Sequence, residues 1–130
     1  MNKILNVAPI LLVKDVVASA NYFRDKLGFS YDQFWGEPSD FCMVRRDGQT
    51  VMLSQAPAKA KLLPHWQIVS QMWNVYFWVE DVDTLYAEYQ QSGAKIDYQL
   101  GFKPYGIKEF GVQDLDGHDI AFGQIMKVKK

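Results

Sequence analysis

Val13-Lys14-Asp15-Val16, near the start of the chain, and Val79-Glu80-Asp81-Val82, beyond its middle, are two copies of one phrase. Each holds an apolar strand end, a charged residue, an aspartate suited to an N-cap and a valine that opens an amphipathic stretch. The stretches also end alike, on Leu27-Gly28-Phe29 and Ser92-Gly93-Ala94. Each half then runs to an Asp-Gly turn, Asp47-Gly48 or Asp116-Gly117, and to a further strand, Val51-Met52-Leu53 or Ile120-Ala121-Phe122. Two copies of strand–helix–three strands predict an α+β protein. Its two βαβββ modules form a curved mixed sheet whose concave face is a ligand cleft.

Periodicity places the elements around this repeat. Val16, Ala20, Phe23 and Leu27 recur at i, i+4, i+7 and i+11, one stripe of a helix. Val82, Leu85, Tyr86 and Tyr89 form the matching stripe, and Gly28 and Gly93 stand where each helix stops. Strands are expected over 4–13, 29–35, 41–46, 50–55, 73–79, 95–100, 106–113 and 118–126. The expected organisation is one domain, with a first module over 1–56, a connector over 57–72 and a second module over 73–126.

With 130 residues, 48% hydrophobic and 22% charged, the chain has the composition of a globular domain. Its net charge of −1 supplies no electrostatic footprint for nucleic acid. The apolar run from Val7 to Val13 is interrupted by Pro9, is too short to span a bilayer and carries no cleavage site; it reads as a strand. The single cysteine, Cys42, excludes an internal disulfide and suits a reducing cytoplasm, where a buried inert thiol is expected. Lys127-Val128-Lys129-Lys130 reads as a solubilising tail.

Strand alternation sorts the second module's side chains. Val75, Phe77 and Val79 make a dry set for a helix to cover, and Phe110 and Val112 join it. Asn74, Tyr76 and Trp78 alternate with them and carry polar handles, which suits a half-wet face. Tyr105, Ile107, Glu109 and Gly111 fall on that same face. His118 follows the Asp-Gly turn and is expected to bond locally or face solvent, while His65 sits in the connector. No glycine-rich phosphate loop and no serine in a nucleophile elbow is present.

The order of these motifs resembles the vicinal oxygen chelate superfamily, which includes glyoxalase I, extradiol dioxygenases and antibiotic-binding proteins. Ala8-Pro9-Ile10-Leu11, Asp25-Lys26-Leu27-Gly28-Phe29-Ser30 and Asp114-Leu115-Asp116-Gly117-His118 carry the general likeness. Leu85-Tyr86-Ala87-Glu88-Tyr89 and Pro104-Tyr105-Gly106-Ile107-Lys108-Glu109-Phe110 are closest to its bleomycin-resistance branch. The resemblance implies a divalent metal bound by His and Glu on strands one, four, five and eight. The matching positions here are Ala8, the neighbourhood of Leu53 and Gln55, Asn74 and Ala121, which are poor ligands for a transition metal. No metal, other cofactor or catalytic residue is therefore expected.

The resistance branch implies instead a homodimer with exchanged arms near Pro9 that binds a planar or amphipathic small molecule, with antibiotic sequestration as its specific form. By motif, the expected ligand-binding residues are Asp32, Phe41, Asn74, Tyr76, Trp78, Tyr105 and Glu109. Two features depart from that branch: the near-neutral charge, and a tyrosine after Pro104 where the branch has tryptophan. The alternative is a glyoxalase-type lyase or dioxygenase with an atypical metal site.

Overall fold

The computed structural model describes residues 2–126, so the basic tail at 127–130 lies outside the described residues. Two compact units divide the chain, Met1–Leu62 and Leu63–Lys130. Each contains one βαβββ module with its own four-stranded mixed sheet.

In the first unit β1 (Ile10–Val13) leads into α1 (Val16–Leu27), followed by β2 (Phe34–Trp35), β3 (Phe41–Arg46) and β4 (Gln49–Gln55). The sheet order is β1-β4-β3-β2, with β1 parallel to β4 and the other pairs antiparallel. Asp15 caps α1, its carboxylate accepting from the Ala18 N–H at 3.1 Å. Gly28 ends it with φ at 75°, a left-handed conformation that costs glycine little. The helix stripe is fully buried at Val16, Ala20, Phe23 and Leu27. It shares the first core with Leu11, Val13, Cys42, Val44, Val51 and Leu53.

Two strands are shorter than the sequence suggests. The pairing of β1 starts at Ile10, and Ile4, Leu5 and Val7 before it are exposed. Pro9 has no N–H to offer a ladder, although its carbonyl still accepts from Met52 N. Of the segment 29–35, Ser30 bridges Arg45 and Phe34–Trp35 pair with β3; residues 31–33 leave the ladder.

The second unit begins with part of the connector, which forms a short 3-10 turn at His65–Gln67. Then come β5 (Val75–Trp78), α2 (Val82–Ser92), β6 (Lys95–Phe102), β7 (Ile107–Gln113) and β8 (Asp119–Ile125), in the sheet order β5-β8-β7-β6. The connector is fixed to this module at three points. Trp66 Nε1 donates to the Gly117 carbonyl at 2.7 Å, the His65 N–H donates to Asn74 Oδ1 at 3.1 Å, and His65 Nδ1 lies 3.0 Å from the Trp73 carbonyl oxygen.

On its helix side this sheet carries Phe110, Val112, Ile120 and Phe122, all buried, with Tyr89 of α2 against Phe110 and Phe122. Phe77 stacks on Phe122 at 5.4 Å between ring centroids but is only half-buried, so it borders this core rather than filling it. The repeat extends to one detail. Gln55 Oε1 accepts from Val16 N, and Gln124 Oε1 accepts from Val82 N, both at 3.0 Å, so a glutamine at each final strand anchors its helix.

Candidate functional site

The face of the second sheet turned away from α2 concentrates the polar chemistry. Its rows follow from strand register. Tyr76, Ala121, Gly111 and Tyr98 are consecutive Cα partners across β5, β8, β7 and β6. Gly123, Glu109 and Gly101 line up in the next row. Two tyrosines therefore flank two small residues, and a glutamate rises between them.

The small residues are required by the tyrosines. A β-carbon on Gly111 would run into the Tyr98 ring, and one on Gly123 would meet the Tyr76 hydroxyl and Ile107. Both phenols can thus lie across the sheet and reach the same carboxylate. Tyr76 donates to Glu109 Oε1 and Tyr98 to Oε2, each at 2.7 Å. Trp73 Nε1 donates in turn to the Tyr98 oxygen at 2.9 Å. Glu109 is 1% exposed, and these bonds compensate the burial of its carboxylate. Desolvation, then the bond to Glu109, raises the Tyr76 and Tyr98 pKa values well above the tyrosine norm; at Tyr98 the Trp73 bond opposes this. Tyr105, beside the same carboxylate, is pushed up to about 12, first by desolvation and then by hydrogen bonding to Glu109. The phenols thus remain proton donors at any physiological pH.

An apolar rim surrounds this buried centre. Trp78 is 65% exposed and Tyr105 55%, and Ile125 is likewise exposed. Trp78 lies 5.0 Å from Tyr76 and Trp73 lies 4.7 Å from it, ring to ring, so aromatic side chains form one continuous surface.

Of the residues singled out from the sequence, Tyr76, Trp78, Tyr105 and Glu109 come together here. Asn74 belongs to the same strand edge but its Oδ1 holds the connector through His65 N. Phe41 and Asp32 belong to the first module. Phe41 makes an edge contact with Trp35 at 5.7 Å, and Asp32 forms an exposed ion pair with Arg45 at 3.5 Å. The first module also has a cavity of about 260 Å³ lined by Asn6, Val7, Ala8, Met43, Gly48, Thr50 and Met52, with no titratable side chain among them. Sequence reasoning missed Tyr98 and Trp73. For Tyr98 the signal was Gly111, a glycine inside a strand that marks the close approach of another group; nothing comparable marks Trp73.

A further polar group closes the β7–β8 turn. Asp114 Oδ1 accepts from the N–H groups of Asp116 and His118, and Oδ2 lies 2.7 Å from His118 Nδ1. Asp114, Asp116 and His118 cluster closely enough to suggest metal ligands, but these bonds tie both Asp114 oxygens into the turn. His118 is buried and bonds locally. Nearby Asp119 is buried with one oxygen, Oδ1, lacking a partner. Desolvation and the neighbouring carboxylates Asp97 and Asp114 raise its pKa to about 6, against a lowering bond from Gln113.

The profile of the Glyoxalase/Bleomycin resistance protein/Dioxygenase superfamily matches residues 3–122. The chain belongs to that superfamily. Among curated proteins none matches significantly. Among solved structures, a bleomycin-binding protein from bleomycin-producing Streptomyces verticillus, complexed with copper(II)-bleomycin, is 26% identical. That alignment covers 98% of this chain and 100% of that one, with a TM-score of 0.67. A glyoxalase-related enzyme from Clostridium phytofermentans shares the fold at TM-score 0.76 and 16% identity over 96% of this chain and 98% of its own. TioX from Micromonospora sp. ML1 does so at 0.72 and 20%, over 94% and 99%.

The residues at the four metal positions do not fit the divalent ion implied by the resemblance. Ala8 and Ala121 offer only methyl groups, and the Asn74 oxygen is engaged by His65 N. On β4 Leu53 is buried against the helix, Met52 stands on the opposite face, and Gln55 anchors α1. Hard or borderline cations need carboxylate or imidazole donors, and this set supplies none.

Proposed function

We propose that this protein binds a planar or amphipathic small molecule without a metal, on the aromatic face of the second module. The observation that carries the reading is the Tyr76–Glu109–Tyr98 centre, a buried carboxylate satisfied by two phenols and bordered by exposed Trp78 and Tyr105. Binding sites commonly combine broad apolar walls with a few oriented polar groups. The 26% identity to a bleomycin-binding protein supports antibiotic sequestration as one form of this activity. A homodimer in a reducing cytoplasm completes the reading: a second copy would cover exposed Ile10 and Leu12 of β1, and Cys42 is a free, buried thiol.

A catalytic role for Glu109 is less well supported. A general base needs a free lone pair directed at substrate, whereas each Glu109 oxygen already accepts a phenol proton. A thermal-shift screen over glycopeptide antibiotics and heteroaromatic metabolites, run beside a turnover screen with and without added divalent metal, tests the reading. A ligand specific for the native state raises the melting temperature by an amount that grows with the logarithm of its concentration over Kd. Metal-dependent turnover of a screened compound, or no shift with any of them, would count against it.

A further inference from the structure

We infer that the Tyr76–Glu109–Tyr98 centre selects a flat ring carrying a hydrogen-bond-donating cation, an aromatic amidinium or guanidinium, and that Lys103 is the chain's own occupant of that position, displaced on binding. This rests on the binding reading above and adds the charge of the ligand and a residue that competes with it.

The direction of the protons sets the charge. Tyr76 and Tyr98 both donate inward to Glu109, and Trp73 donates inward to Tyr98. The Tyr76 oxygen, next to the buried Glu109 carboxylate, keeps its own acceptor capacity. Among the described residues no lysine, arginine or histidine forms an ion pair with Glu109. The group that completes the centre must therefore donate. A ligand carboxylate or phosphate would bring lone pair against lone pair beside a buried negative charge.

Lys103 shows where such a cation sits. Its Nζ lies 4.9 Å from the centroid of the Tyr98 ring, a cation–π contact on the phenol that bonds Glu109. Its backbone is fixed in the β6–β7 turn, with Lys103 N donating to the Ile107 carbonyl and Gly106 N donating to the Lys103 carbonyl. The four-carbon side chain reaches the Tyr98 ring from that anchor, and a lysine contact of this kind is one a bidentate planar cation can replace.

The test uses three probes with one ring and three head groups: 2-naphthamidine, 2-naphthamide and 2-naphthoate. Each is titrated into the full 15N-labelled chain while the indole signals of Trp73 and Trp78 are followed. The amidine should bind about tenfold more tightly than the amide, and the naphthoate should not saturate. Lys103→Met, which keeps an unbranched stem, should tighten the amidine about threefold or more and leave the amide within about twofold. Lys108→Met removes the same charge from the helix side of the sheet and should change neither probe by more than about twofold. Tyr76→Phe, which keeps the ring if Glu109 variants fail to fold, should weaken the amidine about tenfold. Equal binding of all three probes at the indoles overturns the charge selection and leaves the binding surface standing. Amidine affinity unchanged or weakened in Lys103→Met overturns the displacement. Indole signals unmoved by every probe overturn both this inference and the reading beneath it.

Discussion

Glu109 and Tyr98 are the residues on which the second module's open face depends. Tyr98→Phe removes the donor to Glu109 and the acceptor of Trp73 Nε1 in one atom. The expected cost is about 2–3 kcal/mol, because one bond is charge-assisted and a part-buried indole N–H loses its partner. Tyr105→Phe, at a residue more than half exposed, should cost under about 0.5 kcal/mol. Urea unfolding of both variants checks the contrast, and equal losses would mean the centre adds nothing special. Asp119 supplies a pH prediction. Its folded pKa of about 6 stands above the ordinary 3.8, so the folded state holds the proton more tightly than the unfolded chain. Stability should then be highest below about pH 4 as far as this group is concerned, and fall as pH rises to about 6, by at most about 3 kcal/mol. Asp119→Asn should flatten that part of the stability–pH curve, as measured by denaturant midpoints between pH 4 and 7. At this scale the sequence told which strand residues share a face, since Tyr76, Trp78 and Glu109 follow from alternation. It did not show Tyr98, because register shifts in the β6–β7 pairing interrupt the simple alternation.

At the scale of elements, the two helices were readable to within a residue. Asp15, Asp81, Gly28 and Gly93 act through neighbours along the chain, by capping and by left-handed termination. The strands were less readable at their ends, since β1 and β2 exist only where a partner offers free N–H and C=O groups. Gly111 and Gly123 are the element-level counterpart of the polar centre. Gly123→Ala would push its new methyl against the Tyr76 hydroxyl, and overpacking of this kind should cost about 1–3 kcal/mol. In a Tyr76→Ala background the same change should cost less, because the obstructing phenol is gone. A double-mutant cycle by denaturant unfolding measures the difference; full additivity would show that the glycine is not there for the tyrosine.

Across the whole molecule the exposed apolar residues ask for cover. Ile10, Leu12, Trp78 and Ile125 lie on sheet faces, and Ile4, Leu5 and Val7 extend before β1. A self-complementary homodimer is the expected outcome, and sedimentation at micromolar concentration should give twice the 15.0 kDa chain mass. A monomer only, with these surfaces open, would refute it. The sequence by itself determined the two βαβββ modules and their helices. These depend on periodicity, turn chemistry and residue type, each legible within a few positions of the chain. Only the tertiary structure decided that Tyr76 of β5, Tyr98 of β6 and Glu109 of β7 meet in one hydrogen-bonded centre. Strand order, register and the space above two glycines bring those residues together, and no local pattern encodes a meeting between side chains up to 33 residues apart.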